Sequence, residues 1–151
     1  MSEKLPFRFG SEVYTWFMSG NGTTHQGRLG HMIEIIAQAG FTGIQPIFTW
    51  MGELVDPDRL EAKLKEQGIE LVAVALALEW NGAEESQSER IVANNAISLL
   101  ERFPGAVLNT VQIPTGRHNL EERRRSLVNI VNTVSAEQRE SIGTTQVQEL
   151  P

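Results

Sequence analysis

The sequence predicts an α/β fold, a partial (β/α)8 TIM barrel of about four βα units with an incomplete fifth strand. Three observations predict it. Apolar, strand-like runs alternate with segments of helical periodicity, so each strand is followed by a helix that can carry the chain back to the next parallel strand. The helical segments close on glycine, at Ala39-Gly40-Phe41, Gln67-Gly68-Ile69 and Phe103-Pro104-Gly105. The strand starts at Phe7, Gly43, Ile69 and Val107 leave room for one helix between each pair, and no shared side-chain motif marks a solenoid.

Phe7 to Trp16 reads as the first strand, with Phe9 and Val13 along it and the aromatics Tyr14 and Trp16 at its far end. A loop rich in Gly, Asn, Thr and Ser follows to Gly27. Leu29, Met32, Ile33, Ile36 and Ala37 recur at helical spacing, and Gly40 supplies the left-handed stop. Gly43 to Thr49 is the second strand-like run, in which Pro46 removes a ladder donor and marks either the strand's carboxyl end or a bulge. Asp56-Pro57 opens the second helix, because Asp accepts orphan amide bonds and Pro tolerates the first helical position. Leu60 and Leu64 face inward from it.

Ile69 to Leu78 is the purest strand, a Leu/Val/Ala run suited to a parallel strand covered on both faces. A polar loop from Glu79 leads to a third helix with Val92, Ala96, Leu99, Leu100 and Phe103 along one side. Val107 to Ile113 is the fourth strand. Asn119 and Glu122 resemble a capping box at the start of a fourth helix, whose buried stripe is read as Leu127, Ile130, Val131 and Val134. From Ser135 the pattern fails, which predicts a single domain over 1–151 with an irregular tail at 135–151. Ser141-Ile142-Gly143 approaches a fifth strand, but the polar run from Thr144 does not supply a buried one.

Composition narrows the function classes. The 151 residues suffice for one core but fall short of the roughly 250 of an eight-unit barrel, which predicts a truncated chain. There is no cysteine, hence no disulfide framework or thiolate site, in keeping with a cytoplasmic protein. No secretory pattern or apolar run of membrane-spanning length occurs. A net charge of −6 opposes binding to a phosphate backbone, so no nucleic-acid partner is expected. The run Arg123-Arg124-Arg125 shares its helix with Glu121 and Glu122 and reads as a solvated face.

In a barrel of parallel strands the carboxyl-end loops converge on one mouth, so chemistry is sought there. The candidates are Tyr14 and Trp16 after the first strand, Gln45 and Trp50 after the second, Trp80 after the third and Gln112 at the end of the fourth, all as substrate-binding groups. Aromatic walls with a few amides and carboxylates suit a sugar or polyol, whose ring faces stack while its hydroxyls form hydrogen bonds. The three tryptophans either wall such a mouth or pack beneath it. Glu79 is the candidate catalytic residue, as general base or hydrogen-bond acceptor, against the plainer reading of a solvated loop carboxylate. His25 and His118 lack ligand-type spacing to a partner, so no metal ligand is assigned. Neither a phosphate loop, a dinucleotide fingerprint nor a nucleophile elbow is present.

Phe9-Gly10 through Tyr14-Thr15-Trp16, the phrase Ala39-Gly40-Phe41-Thr42-Gly43-Ile44 and the run Gln67-Gly68-Ile69-Glu70-Leu71-Val72 carry a resemblance. Together they resemble the opening of the sugar phosphate isomerase/epimerase family, with its xylose-isomerase-like barrel, from about Phe7 to Val134. The resemblance implies an isomerase or epimerase of carbohydrate metabolism acting on a sugar or sugar phosphate. It also implies a divalent metal in complete relatives, held by carboxylates and histidine from second-half strands, so that this chain alone carries no cofactor. Many relatives place a carboxylate where Gln45 stands, and an amide binds a hydroxyl but does not act as a base near neutral pH. Glu149 falls near the family's fifth strand but lacks an apolar strand around it and is not assigned as a ligand. Two other readings are a non-catalytic half-barrel whose open edges pair with a second copy or another chain, and an abasic-site endonuclease-like barrel, which the acidic balance disfavours.

Overall fold

A computed structural model describes residues 9–13, 16, 26–79, 86–112 and 120–141. Every strand pairing in it is parallel, as expected when a helix separates each strand from the next. The elements are β1 (Gly10–Glu12), α1 (Leu29–Gln38), β2 (Gly43–Gln45), two 3-10 turns (Phe48–Trp50 and Gly52–Val55), α2 (Pro57–Gln67), β3 (Glu70–Leu71), β4 (Ala73–Leu78), α3 (Gln87–Leu100), β5 (Val107–Gln112) and α4 (Leu120–Ser141). The described residues form a mixed α/β fold with the four helices α1 to α4 and an open arrangement of parallel strands. β1, β2 and β3 form one sheet and β4 and β5 another.

Helix boundaries follow the local chemistry. Asp56 caps α2, its Oδ1 accepting from the backbone N–H groups of Asp58 and Arg59, each at 3.0 Å, with Pro57 as first helical residue. Ser86 and Glu89 make a capping box at the start of α3, the Ser86 side chain accepting from Glu89 N–H and the Glu89 carboxylate from Ser86 N–H. Gly40, Gly68 and Gly105 all take positive φ, at 85°, 66° and 93°. At the first two, paired hydrogen bonds run back into the helix, Phe41 N–H to the Ile36 carbonyl and Ile69 N–H to the Leu64 carbonyl, the closure that left-handed glycine permits.

The third strand-like run is not continuous. β2 ends at Gln45, since Pro46 offers no N–H to the ladder, and the run Ile69 to Leu78 is interrupted at Val72. Ile44 pairs with Leu71, yet Ile47 bridges Ala75, so one extra residue is taken up on the longer strand. Val72 still joins the two sheets, its N–H donating to the Ile44 carbonyl at 3.1 Å and its carbonyl accepting from Val107 N–H at 3.2 Å. The Pro46 carbonyl accepts from Ala75 N–H at 2.8 Å.

One core lies between strands and helices. Leu29, Met32, Ile33 and Ile36 of α1, Leu60 and Leu64 of α2, Ala93, Ala96 and Leu99 of α3, and Ile130 of α4 close over Ile44, Leu71, Val74, Ala75 and Leu76. Among the described residues, no helix is long and apolar enough to cross a membrane.

Three expectations are corrected. β1 is shorter than the Phe7 to Trp16 run, although Val13 N–H still donates to the Gln45 carbonyl at 3.2 Å. α4 continues to Ser141, past Ser135 where the irregular tail was expected to begin, because the polar residues there are compatible with a helix that needs only one buried face. Its buried face is also rotated. Asn129, Ile130 and Thr133 are buried, whereas Leu127 and Val131 are 57% and 60% exposed, as α4 packs on α3 and no described element lies beyond it. The residues around a fifth strand, 142–151, and Asn119 of the expected capping box lie outside the described residues.

Gly43 makes the closest approach in the sheet: a Cβ there would sit 2.6 Å from Val72 Cγ1. Gly43→Ala should therefore destabilise the protein by about 1–2 kcal/mol, and Val72→Ala should relieve most of that cost. Urea denaturation of both single variants and the double variant measures this, and equal effects of Gly43→Ala in both backgrounds would contradict it.

Candidate functional site at the carboxyl edge of the sheet

The register of β1 on β2 pairs Gly10 with Gly43, Ser11 with Ile44 and Glu12 with Gln45. Alternation sends Ile44 to the core, where it is fully buried, and puts Glu12 and Gln45 together on the opposite face, at the carboxyl ends of their strands. Gln45 Nε2 donates to Glu12 Oε1 at 3.0 Å. Glu12 is exposed and Gln45 half-buried, so the pair is open to solvent on the face opposite Ile44. Gly10 and Gly43 occupy the same face one step earlier, under Val72, and leave the floor there without side chains.

The other predicted residues divide. Trp50 is 7% exposed and belongs to the core. Its backbone carbonyl accepts from Gly27 N–H at 2.9 Å, tying the loop before α1 to the turn after β2. A ring so buried has no free face for stacking, so Trp50 packs beneath the edge instead of walling it. Trp16 is half-buried against the core, and its N–H donates to the Val13 carbonyl at 3.0 Å. Glu79 is exposed and follows β4 directly. Gln112 closes β5 opposite Leu78, so the backbone brings Gln112 and Glu79 to the same end of neighbouring strands. Tyr14 and Trp80 lie outside the described residues, as do His25, Asn81 and His118.

Glu12 is the site residue that sequence reasoning missed. Its signal was present: Gly10-Ser11-Glu12 and Gly43-Ile44-Gln45 are matching triplets of glycine, inward residue and polar residue. Recognising them needs the strand register, which the loop between the two strands hides.

Among the described side chains, the carboxyl edge offers two carboxylates, Glu12 and Glu79, and the Gln45 amide. Among the described residues, no group of three histidine, cysteine or carboxylate side chains could hold a metal ion. A hard cation wants several oxygen ligands, so the described donors do not fit one and no step is derived through a metal. They suit hydrogen bonding to hydroxyls and proton exchange at a carboxylate.

Two surface depressions lie elsewhere. A cleft of about 510 Å³ between α1 and α2 is lined by Arg28, His31, Glu34, Glu53, Leu54 and Lys63, and is occupied by internal ion pairs. Lys63 Nζ reaches Glu34 Oε1 at 2.6 Å and Glu66 Oε2 at 3.2 Å. A groove of about 810 Å³ at the amino ends of β3 and β5 has Leu64, Ile69, Leu71 and Phe103 as its apolar lining, with Arg102 on its rim. Arg102 is already engaged by Asp58 at 2.7 Å.

No family model, curated protein or solved structure matches the chain.

The Lys63 amine holds the Glu34 carboxyl below its ordinary value through a hydrogen bond and its charge, while Glu34 and then Glu66 hold Lys63 above its own. Glu34 thus contributes stability above its unfolded value, lost as pH falls through the lowered folded value. Lys63 contributes below its unfolded value, lost as pH rises through the raised one. Glu34→Gln should flatten the acid limb of a urea-midpoint profile and reduce the alkaline loss. An unchanged profile would show that the pair adds nothing in solution.

Proposed function

We propose that the chain is the amino-terminal half of a sugar (phosphate) isomerase/epimerase-like TIM barrel of carbohydrate metabolism, and that its carboxyl edge is part of a sugar-binding mouth. The observation that carries this reading is the Glu12–Gln45 pair. An amide held by a carboxylate, open to solvent at the carboxyl ends of adjacent parallel strands, is a hydrogen-bonding surface for vicinal hydroxyls. The parallel order with a helix after each of the major strands, and the resemblance carried by Ala39 to Ile44, support the same assignment.

In this reading Gln45 and Gln112 bind hydroxyls, Trp16 with Tyr14 and Trp80 gives an apolar flank, and Glu79 takes or returns a proton at a carbon beside the carbonyl of the open-chain sugar. Gln45 binds and does not act as a base. The divalent metal that the resemblance implies would be held by carboxylates and histidine other than the residues named here.

A second reading, a half-barrel that pairs with a second copy or another chain, is favoured by one observation. Leu127, Val128 and Val131 are exposed along α4, and β5 has no further strand beside it among the described residues. An abasic-site endonuclease activity finds no support in a net charge of −6.

Tryptophan fluorescence and calorimetry against neutral pentoses, hexoses and their phosphates test the first reading. Gln45→Ala should weaken binding about tenfold, the loss of one or two hydrogen bonds, whereas Glu79→Gln should leave binding within about twofold. Absence of saturable binding to any of these sugars would overturn it.

A further inference from the structure

We propose that Glu12 is a positioning residue that fixes the Gln45 amide, so that this end of the mouth takes hydroxyl or amino groups of a neutral or cationic polyol and turns away phosphate. The ligand half of this rests on the sugar-binding reading above; the positioning half stands on geometry alone.

An ionised carboxylate only accepts hydrogen bonds, so the amide beside it must present nitrogen, and Gln45 Nε2 does face Glu12 Oε1 at 3.0 Å. The opposite arrangement would set oxygen against oxygen. With Nε2 engaged, the amide carbonyl oxygen opens away from Glu12. The atoms left to a ligand are then Gln45 Oε1, Glu12 Oε2 and one remaining Nε2 hydrogen. Acceptors outnumber donors, and the pair carries a formal negative charge.

Among the described residues, the ion pairs do not include Glu12. A phosphate placed here would meet a carboxylate at close range, whereas a hydroxyl would donate a charge-assisted bond to it. Gln45 is half-buried as a residue, and its amide is held by the bond to Glu12. The sugar phosphates and free sugars of the general reading are thereby separated: the hydroxylated end of a ligand lies on β1 and β2, and any phosphate lies elsewhere.

The test follows the side-chain amide resonances of Gln45 in nitrogen-labelled full-length chain, wild type, Glu12→Ala and Glu12→Gln. Two probes are added, ribitol and inorganic phosphate. In the wild type one Nε2 proton should be displaced downfield and exchange more slowly than its sister. Glu12→Ala should move it to the position of a solvent-exposed glutamine, and Glu12→Gln, which keeps an acceptor, should leave it between the two. Ribitol should shift the Gln45 amide signals of the wild type with at least tenfold lower midpoint than in Glu12→Ala, and phosphate should not shift them.

Identical Gln45 signals in wild type and Glu12→Ala would overturn the positioning role. Ribitol shifts at the Trp16 indole without any at Gln45, or a phosphate shift at Gln45, would overturn the ligand assignment while the sugar-binding reading stood. Ribitol leaving every signal unmoved would overturn both the sugar-binding reading and the ligand half of this proposal, with the Glu12 dependence of the amide deciding the positioning half.

Discussion

The backbone of Val72 is the hinge point at which the two sheets join. Its N–H donates to Ile44 and its carbonyl accepts from Val107, so a single residue hydrogen-bonds to the strand on each side. Buried backbone groups must be paired, and here the pairing passes through a residue that stands outside both named ladders. The need arises at Pro46, which ends β2 and shifts the pairing of the longer strand by one residue, from Ile44 on Leu71 to Ile47 on Ala75. Together with the Ala75 N–H bond to the Pro46 carbonyl, that joint ties the three short strands to the long β4–β5 pair, each too small to bury a core of its own.

The same residue shapes the open face. The Val72 side chain lies over Gly43 and Gly10, and the glycines are what allow it to lie there. Their lack of side chains leaves Glu12 and Gln45 as the first polar groups met along that face toward the carboxyl end. Packing on one side of the sheet and hydrogen bonding on the other thus share one register. A slip by one residue would send Ile44 to solvent and turn Gln45 inward, with loss of both core and site.

Much of this was legible in the sequence where a local signal decides the outcome. Asp56-Pro57, the glycine stops at Gly40 and Gly68, and the periodic Leu29 to Ile36 act within a few residues and are found as expected. Pro46 was readable as a strand end, but not the break at Val72, which depends on a partner strand distant in the chain. The face of α4 was misread for a similar reason. Periodicity ranks Leu127 and Val131 as buried, yet the neighbour that α4 has, α3, takes Ile130 with Asn129 and Thr133. In the site, Gln45 could be placed from sequence and Glu12 could not, because the pair exists only across strands. Trp50 sat at a strand end as read, and the 3-10 turn folded it into the core.

What the molecule can do follows from which end of the sheet is polar and uncovered. The ion-paired cleft between α1 and α2 serves the helical layer, while the Glu12–Gln45 pair stands on the face opposite the buried Ile44, with Glu12 exposed. The account therefore depends most on the parallel joint at Val72. Cross-strand nuclear Overhauser contacts on labelled protein test it directly. Contacts linking Ile44 with Leu71, Ile47 with Ala75, and Ala73 with Val107, together with slow amide exchange at Val72 and Val107, are expected; antiparallel contacts, or sequential helical contacts through Ala73 to Leu78, would rule the parallel joint out.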